Sequence, residues 1–133
     1  MNYKLFDVKL YGDENGRLVS IQQNSNCNFD IKRVFYIFDT KPGIVRGAHA
    51  NKKSEFLMIA INGSCKVRID DGKKSEIVEL NSPHKALYLD KMLWKEMYDF
   101  SYNAILLVCS NTVFDEKEYI RDYQRYLEAV GNA

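Results

Sequence analysis

The 133-residue sequence predicts an all-β fold, a small antiparallel barrel or sandwich, with one C-terminal α-helix. Three observations predict it. Short apolar or alternating segments recur along most of the chain. Turn-forming residues separate them. After Phe114 the apolar spacing changes to steps of three and four. Many short strands at regular spacing, followed by one terminal helix, suggest a small antiparallel barrel or sandwich.

The elements follow in order. Phe6 to Leu10 reads as a short strand, and Asp13-Glu14-Asn15-Gly16 as a turn, because Asn-Gly tolerates positive φ. Leu18 to Gln22 resumes an extended pattern. Lys32 to Asp39 is aromatic and β-branched and predicts a strand. Lys41-Pro42-Gly43 turns. Glu55 to Ile61 is a nearly continuous apolar run, and Asn62-Gly63 after it is a hairpin signal towards Cys65 to Asp70. Asp71-Gly72 closes a second hairpin to Ser75 to Leu80. Lys85 to Leu89 and Ala104 to Ser110 supply two more strands. Tyr119, Ile120, Tyr123, Tyr126, Leu127 and Val130 then recur at helical spacing, so a helix is expected over about 114–130. Asp115 and Glu116 favour its start and Gly131 its end. The expected organisation is one domain over 1–133, with the barrel over about 1–112.

Hydrophobic residues make up 46% and charged residues 28%, so a core can form without disulfide or metal staples. The formal net charge is +1 with no long basic run, which points away from nucleic acid. Cys27, Cys65 and Cys109 are odd in number and widely spaced, and are read as reduced thiols of a cytoplasmic protein. No charged-then-apolar leader opens the sequence and no apolar run approaches ~18 residues, so neither secretion nor a membrane span is expected.

The chemistry centres on Arg46 to Asn51. Gly43, His49, Asn51, Glu55 and Gly63 have spacing that resembles the first signature of the cupin superfamily, which in its metal-binding members supplies two histidines and a glutamate. Residues 49, 51, 55 and 57 share parity and are expected to face the barrel interior. Here the second histidine is replaced by Asn51, and His84 is the one other histidine in the chain. One imidazole and one carboxylate fall short of the roughly three protein ligands that zinc or iron takes. No metal and no other cofactor is expected.

Arg46-Gly47-Ala48-His49-Ala50-Asn51-Lys52 also resembles the Arg-Gly-x-His-Ala-His-Lys motif of the nucleotide-sugar 3,4-ketoisomerases, which are metal-free cupins. Asn15 to Leu18, Ile31 to Ile37, Asn62 to Val67, Trp94 to Phe100 and Phe114 to Tyr123 resemble further family segments in the same order. The resemblance implies a double-stranded β-helix, the cupin jelly-roll barrel, and a homodimer with exchanged N-terminal strands. It implies conversion of dTDP-4-keto-6-deoxyglucose to a dTDP-3-keto-6-deoxyhexose, feeding 3-amino-3,6-dideoxy sugars of surface polysaccharide such as lipopolysaccharide O-antigen.

Within that resemblance His49 matches the first family histidine and is the expected proton shuttle, since an imidazole titrates near working pH. Asn51 and Lys95 depart from family residues at their positions. Asn51 cannot take a proton. It is read as a hydrogen-bond donor to the enediol oxygen, as the mark of a binder with lost or changed activity, or as an engineered change. An epimerase on a related dTDP-sugar is a further alternative. Lys95 is expected to donate to the same oxygen or return the proton. Arg33 and Arg46 are expected to bind diphosphate through their guanidinium forks. Glu55 is expected to orient His49, Tyr36 and Trp94 to stack on base or sugar, and Asn15 to border the sugar.

Overall fold

The computed structural model describes residues 1–132. The strands are β1 (Tyr3–Asp7), β2 (Tyr11–Asp13), β3 (Gly16–Leu18), β4 (Arg33–Phe38), β5 (Arg46–Asn51), β6 (Phe56–Asn62), β7 (Cys65–Asp70) and β8 (Ser75–Leu80). They continue with β9 (Lys85–Leu89), β10 (Trp94–Tyr98), β11 (Ile105–Ser110) and β12 (Tyr119–Ile120), and helix α1 spans Tyr123–Ala129. Two five-stranded antiparallel sheets face each other, in the orders β1-β9-β6-β11-β4 and β12-β5-β10-β7-β8. The β2-β3 hairpin stands apart.

Alternation along β6 explains its unbroken apolar sequence. Phe56, Met58 and Ala60 enter the core between the sheets with Val67, Ile69, Leu87, Met97 and Leu106. Leu57 and Ile59 face the opposite way, into a second cluster with Val8, Cys27, Phe29, Tyr88 and Cys109 beneath the N-terminal segment. Both faces of this strand are covered, and such strands read as continuous rather than alternating. The three cysteines are unpaired and buried.

Several expected elements differ from the observed ones. Asn62-Gly63 does not close a hairpin: β6 pairs with β9 and β11, while β7 pairs with β8 and β10. The turn carries the chain across to the other sheet. Glycine is needed there because φ is +66° and a Cβ would lie 2.3 Å from Ser101 Oγ. The first strand lies earlier than expected, at Tyr3–Asp7, since its register is set by pairing with β9. β5 and β10 are strands where the sequence showed no clear alternation.

The expected helix over 114–130 is largely replaced. Asp115 caps a 3-10 turn over Glu116–Glu118, Tyr119 and Ile120 pair with Asn51 and Ala50, and only Tyr123–Ala129 is α-helical, capped by Asp122. The ladder to β5 outcompetes local helix propensity at 119–120. Helix α1 then lies over the outside of the second sheet. Its fully buried Tyr126 donates to the carbonyls of Asp70 (3.0 Å) and Met92 (2.8 Å).

Candidate functional site

Between the sheets lies a cavity of about 580 Å³, lined from β4, β5, β6, β10 and the C-terminal segment. That volume suits a small-molecule ligand.

A bulge in β5 aims its side chains. Lys95 pairs with His49, but Glu96 pairs with Gly47, so Ala48 is an extra residue in the ladder. Gly47 and Ala48 both have positive φ, at +81° and +58°. A Cβ on Gly47 would approach Met97 Sδ at 3.0 Å and the Lys95 carbonyl at 3.1 Å, so the glycine of this motif is a steric requirement. Ala48 holds a conformation costly for a side-chain-bearing residue, of the kind that persists where surrounding structure fixes it.

His49 lines the cavity with its ring edge-on to Tyr119, centroids 4.8 Å apart. Its Nδ1 is buried without a hydrogen-bond partner. Burial, and then the charge on Lys95, lower its pKa to about 4, opposed weakly by the Gly47 carbonyl. The imidazole is therefore neutral at physiological pH.

Lys95 also lines the cavity, 1% exposed, with Nζ 4.8 Å from the centroid of the Phe56 ring. Burial pushes it down to about 7, and the Glu118 carboxylate works against that. Its Nζ donates to Asn51 Oδ1 at 3.2 Å. Asn51 Nδ2 in turn donates to Glu118 Oε1 at 2.8 Å.

Asn51 is 0% exposed and does not line the cavity. Both ends of its amide are engaged by protein, so it stands behind Lys95 rather than at the expected enediol oxygen. Glu118 Oε2 accepts from the backbone N–H groups of Lys53 (2.8 Å) and Ser54 (2.9 Å), and Oε1 accepts from the Ser54 hydroxyl. Burial alone would raise this carboxyl, but the bonds from Ser54, Asn51 and Lys53 outweigh it and hold the pKa below the ordinary range.

Arginines stand near the mouth. Arg33 faces inward with Phe35 and Ile37, as its parity predicts. Its guanidinium lies over Phe35 and Phe114 and reaches the Tyr119 hydroxyl at 3.5 Å, while Nε is buried and unpartnered. Arg46 and the exposed Tyr36 line the cavity at its rim.

Three expected residues lie elsewhere. Glu55 does not reach His49. It accepts from the Tyr88 hydroxyl (2.5 Å) and from Asn111 Nδ2 (2.9 Å), because the turn between β5 and β6 breaks the parity that would have carried it inward. Leu57 faces outward for the same reason. Trp94 is on the outer face of β10, packed against Tyr123 and Tyr126, with Nε1 donating to Glu96. Asn15 sits exposed in the β2-β3 turn, lining neither this cavity nor the other large one.

That other cavity, about 700 Å³, lies under the N-terminal segment and includes Lys4, Lys9, Asn26 and Tyr88. Its lining contains no histidine. Among the described residues no three His, Cys, Asp or Glu side chains gather as metal ligands. No described helix is long and apolar enough to cross a membrane.

Glu118, Tyr119 and Arg121 complete the site and were not expected there. Arg121 lines the cavity, lies over the Tyr119 ring, and is held by Glu116 in a two-point ion pair at 2.8 and 3.0 Å. A signal for Glu118 did exist. Lys95 lies between Trp94 and Met97 in a strand-like run, and a lysine facing a core needs a buried acid.

A jelly-roll barrel with an imidazole beside a buried ammonium in its interior, and arginines at the opening, is a cupin-type fold with a polar ligand-sized site. The family model described as WxcM-like, C-terminal (FdtA) matches residues 1–131. The chain belongs to this family. It is 43% identical over 130 residues to the TDP-4-oxo-6-deoxy-alpha-D-glucose-3,4-oxoisomerase of Aneurinibacillus thermoaerophilus, covering 98% of this chain and 94% of that one. Among solved structures, the TDP-fucose-3,4-ketoisomerase WlaRA of Campylobacter jejuni is 50% identical, with a TM-score of 0.94 over 99% of this chain and 98% of that one. The sugar 3,4-ketoisomerase QdtA of Thermoanaerobacterium thermosaccharolyticum, solved with TDP, is 38% identical, with a TM-score of 0.95 over 98% and 95% of the two chains.

Proposed function

We propose that this protein is an isomerase that moves the ketone of a thymidine-diphosphate-linked 4-keto-6-deoxy sugar from C4 to C3. The observation that carries the reading is the juxtaposition of His49 and Lys95 on paired strands, both facing one cavity. Full-length relatives named as 3,4-oxoisomerases and 3,4-ketoisomerases support it.

The reaction removes a proton from C3, forms an enediol, and returns a proton at C4, with no net oxidation. Neutral His49 accepts the C3 proton, which the adjacent ketone acidifies. Charged Lys95 faces the C4 oxygen as negative charge develops there, and a fixed ammonium in a dry cavity stabilises that charge strongly. Lys95 gives a proton to the C4 oxygen as the enediol forms. The proton held by His49 then returns at C4, and the C3 hydroxyl proton passes to the neutral Lys95 amine as the new ketone forms, so both side chains end as they began. Arg33 and Arg46 bind the diphosphate, and Tyr36 flanks the base or sugar at the rim.

The protein acts on this reading as a homodimer with exchanged N-terminal strands. Support comes from β1, an edge strand held by β9 alone, and from the β2-β3 hairpin, which pairs with no other strand. In such a dimer that hairpin carries Asn15 towards the partner. The product serves 3-amino-3,6-dideoxy sugar synthesis for surface polysaccharide, in the cytoplasm.

The test incubates the protein with dTDP-4-keto-6-deoxyglucose in deuterated water and follows C3 and C4 by NMR. Deuterium entry and a 3-keto product are expected. A spectrum with neither exchange nor a 3-keto product would sink the isomerase reading.

A further inference from the structure

Glu118 touches neither the cavity lining nor an exposed surface, yet it is the acid linked to Lys95. We propose that Glu118 is a positioning residue that sets the direction and charge of Lys95 through the side-chain amide of Asn51. The proposal rests on the reading that Lys95 faces the reacting sugar.

The geometry allows one polarity. Glu118 carries four hydrogen bonds from donors alone: the N–H groups of Lys53 and Ser54, the Ser54 hydroxyl, and Asn51 Nδ2. A carboxylate can only accept, so the NH2 end of Asn51 must face it. The carbonyl end then faces Lys95 Nζ, which can only donate. Reversing the amide would set donor against donor at one end and acceptor against acceptor at the other. The carboxylate therefore dictates which end of Asn51 Lys95 meets, and that end fixes the ammonium over Phe56 beside the cavity.

The charged groups around Lys95 are few. From the 3-10 turn there is Glu118, and from β5 the neutral imidazole of His49. Phe56 of β6 and Ile69 of β7 present no charge. Arg121 and Glu116 act on His49 and are paired to each other. The pull of Glu118 is thus the counterweight that keeps Lys95 from losing its proton outright to burial. The same residue ties the C-terminal segment to the β5-β6 turn: its carboxylate accepts from the Lys53 and Ser54 N–H groups, and its backbone carbonyl accepts from the Lys52 N–H at 2.9 Å.

The test labels lysine at Cε and follows the Lys95 resonance through a pH titration in the parent and in Glu118→Gln. A glutamine presents an amide that competes with Asn51 for polarity and carries no charge. The Lys95 midpoint is expected to fall by one unit or more. In the isomerase assay at pH above that midpoint, kcat is expected to drop about tenfold with KM little changed, since Glu118 does not meet substrate. An unchanged Lys95 midpoint would overturn the proposal. If Glu118→Gln does not fold, Asn51→Ala cuts the link and leaves the other Glu118 bonds intact. Its Lys95 midpoint is expected to fall too, and an unmoved midpoint there overturns the proposal equally. The NMR midpoint does not depend on turnover, so a protein without isomerase activity but with a shifted midpoint would refute the proposed function and leave the link standing.

Discussion

His49 and Lys95 sit directly opposite each other across the β5-β10 ladder, immediately after the bulge at Ala48. Residues so paired have side chains within mutual reach. Burial shifts both groups to lower pKa, the imidazole to about 4 and the amine to about 7, and the Lys95 charge adds to the His49 shift. Between these two values the pair offers a free base beside an ammonium, and around neutral pH the ammonium begins to lose its proton.

The first prediction concerns pH. His49 must be neutral, so kcat/KM rises as pH climbs through about 4. Lys95 must be charged, so kcat/KM falls as pH climbs through about 7. In Lys95→Arg the alkaline limb is expected to vanish, because a guanidinium stays protonated. A pH–rate profile of parent and variant checks this, and an alkaline limb persisting in the arginine variant would assign it to another group.

His49→Asn removes the base and keeps most of the side chain's shape. Exchange at C3 is expected to drop by about 10²–10⁴-fold, the usual worth of a positioned base. Binding of the sugar nucleotide, read by calorimetry, is expected to stay within a few-fold of the parent because the arginines are untouched.

Position 51 separates polarity from proton transfer. Asn51→His supplies one donor and one acceptor and can bridge Glu118 to Lys95, so a folded and active protein is expected. Asn51→Leu removes the acceptor of the buried Lys95 ammonium and one of the four donors to Glu118, which keeps its bonds from Lys53 and Ser54. Losing a hydrogen bond to a charged group costs about 1.5–3 kcal/mol. Chemical denaturation of both variants gives the comparison. Equal stability in the two would show that the amide carries no part of the link.

Gly47→Ala places a methyl against Met97 and the Lys95 carbonyl at a left-handed backbone position. The backbone alone costs about 1–2 kcal/mol. The bulge must shift to relieve the contact, which moves His49, so catalysis is expected to fall further than stability does. Thermal melts beside exchange rates will show whether the two losses diverge.

Tyr126→Phe deletes a hydroxyl that satisfies the Asp70 and Met92 carbonyls while keeping the ring against Trp94. Loss of about 1–3 kcal/mol is expected from the two buried acceptors left unpaired. Because α1 covers the outer face of the second sheet, C3 exchange is expected to be unaffected well below the melting temperature.

What the sequence determined by itself was mostly local. Alternation and turn residues placed β7, β8 and β9 at their observed bounds, because a strand with one covered face writes its period into the chain. The inward parity of Arg33 followed from the same rule. The Arg46–Asn51 motif located the strand that lines the cavity and His49 within it, since a glycine and an imidazole are visible residue by residue.

Tertiary structure decided everything that depends on a distant partner. Asn62-Gly63 has the chemistry of a hairpin turn, but pairing of β6 with β9 and β11 turned it into a crossing between sheets. Tyr119 and Ile120 have helical spacing, but the free edge of β5 drew them into a strand. Glu55, four residues beyond Asn51, lost its expected direction in an intervening turn that periodicity cannot see. Glu118, remote in sequence, came to hold Asn51 and through it Lys95. Periodicity reports which face of an element is buried. It carries no information on which buried polar group will meet another, and here that meeting sets the charge of the residue beside His49.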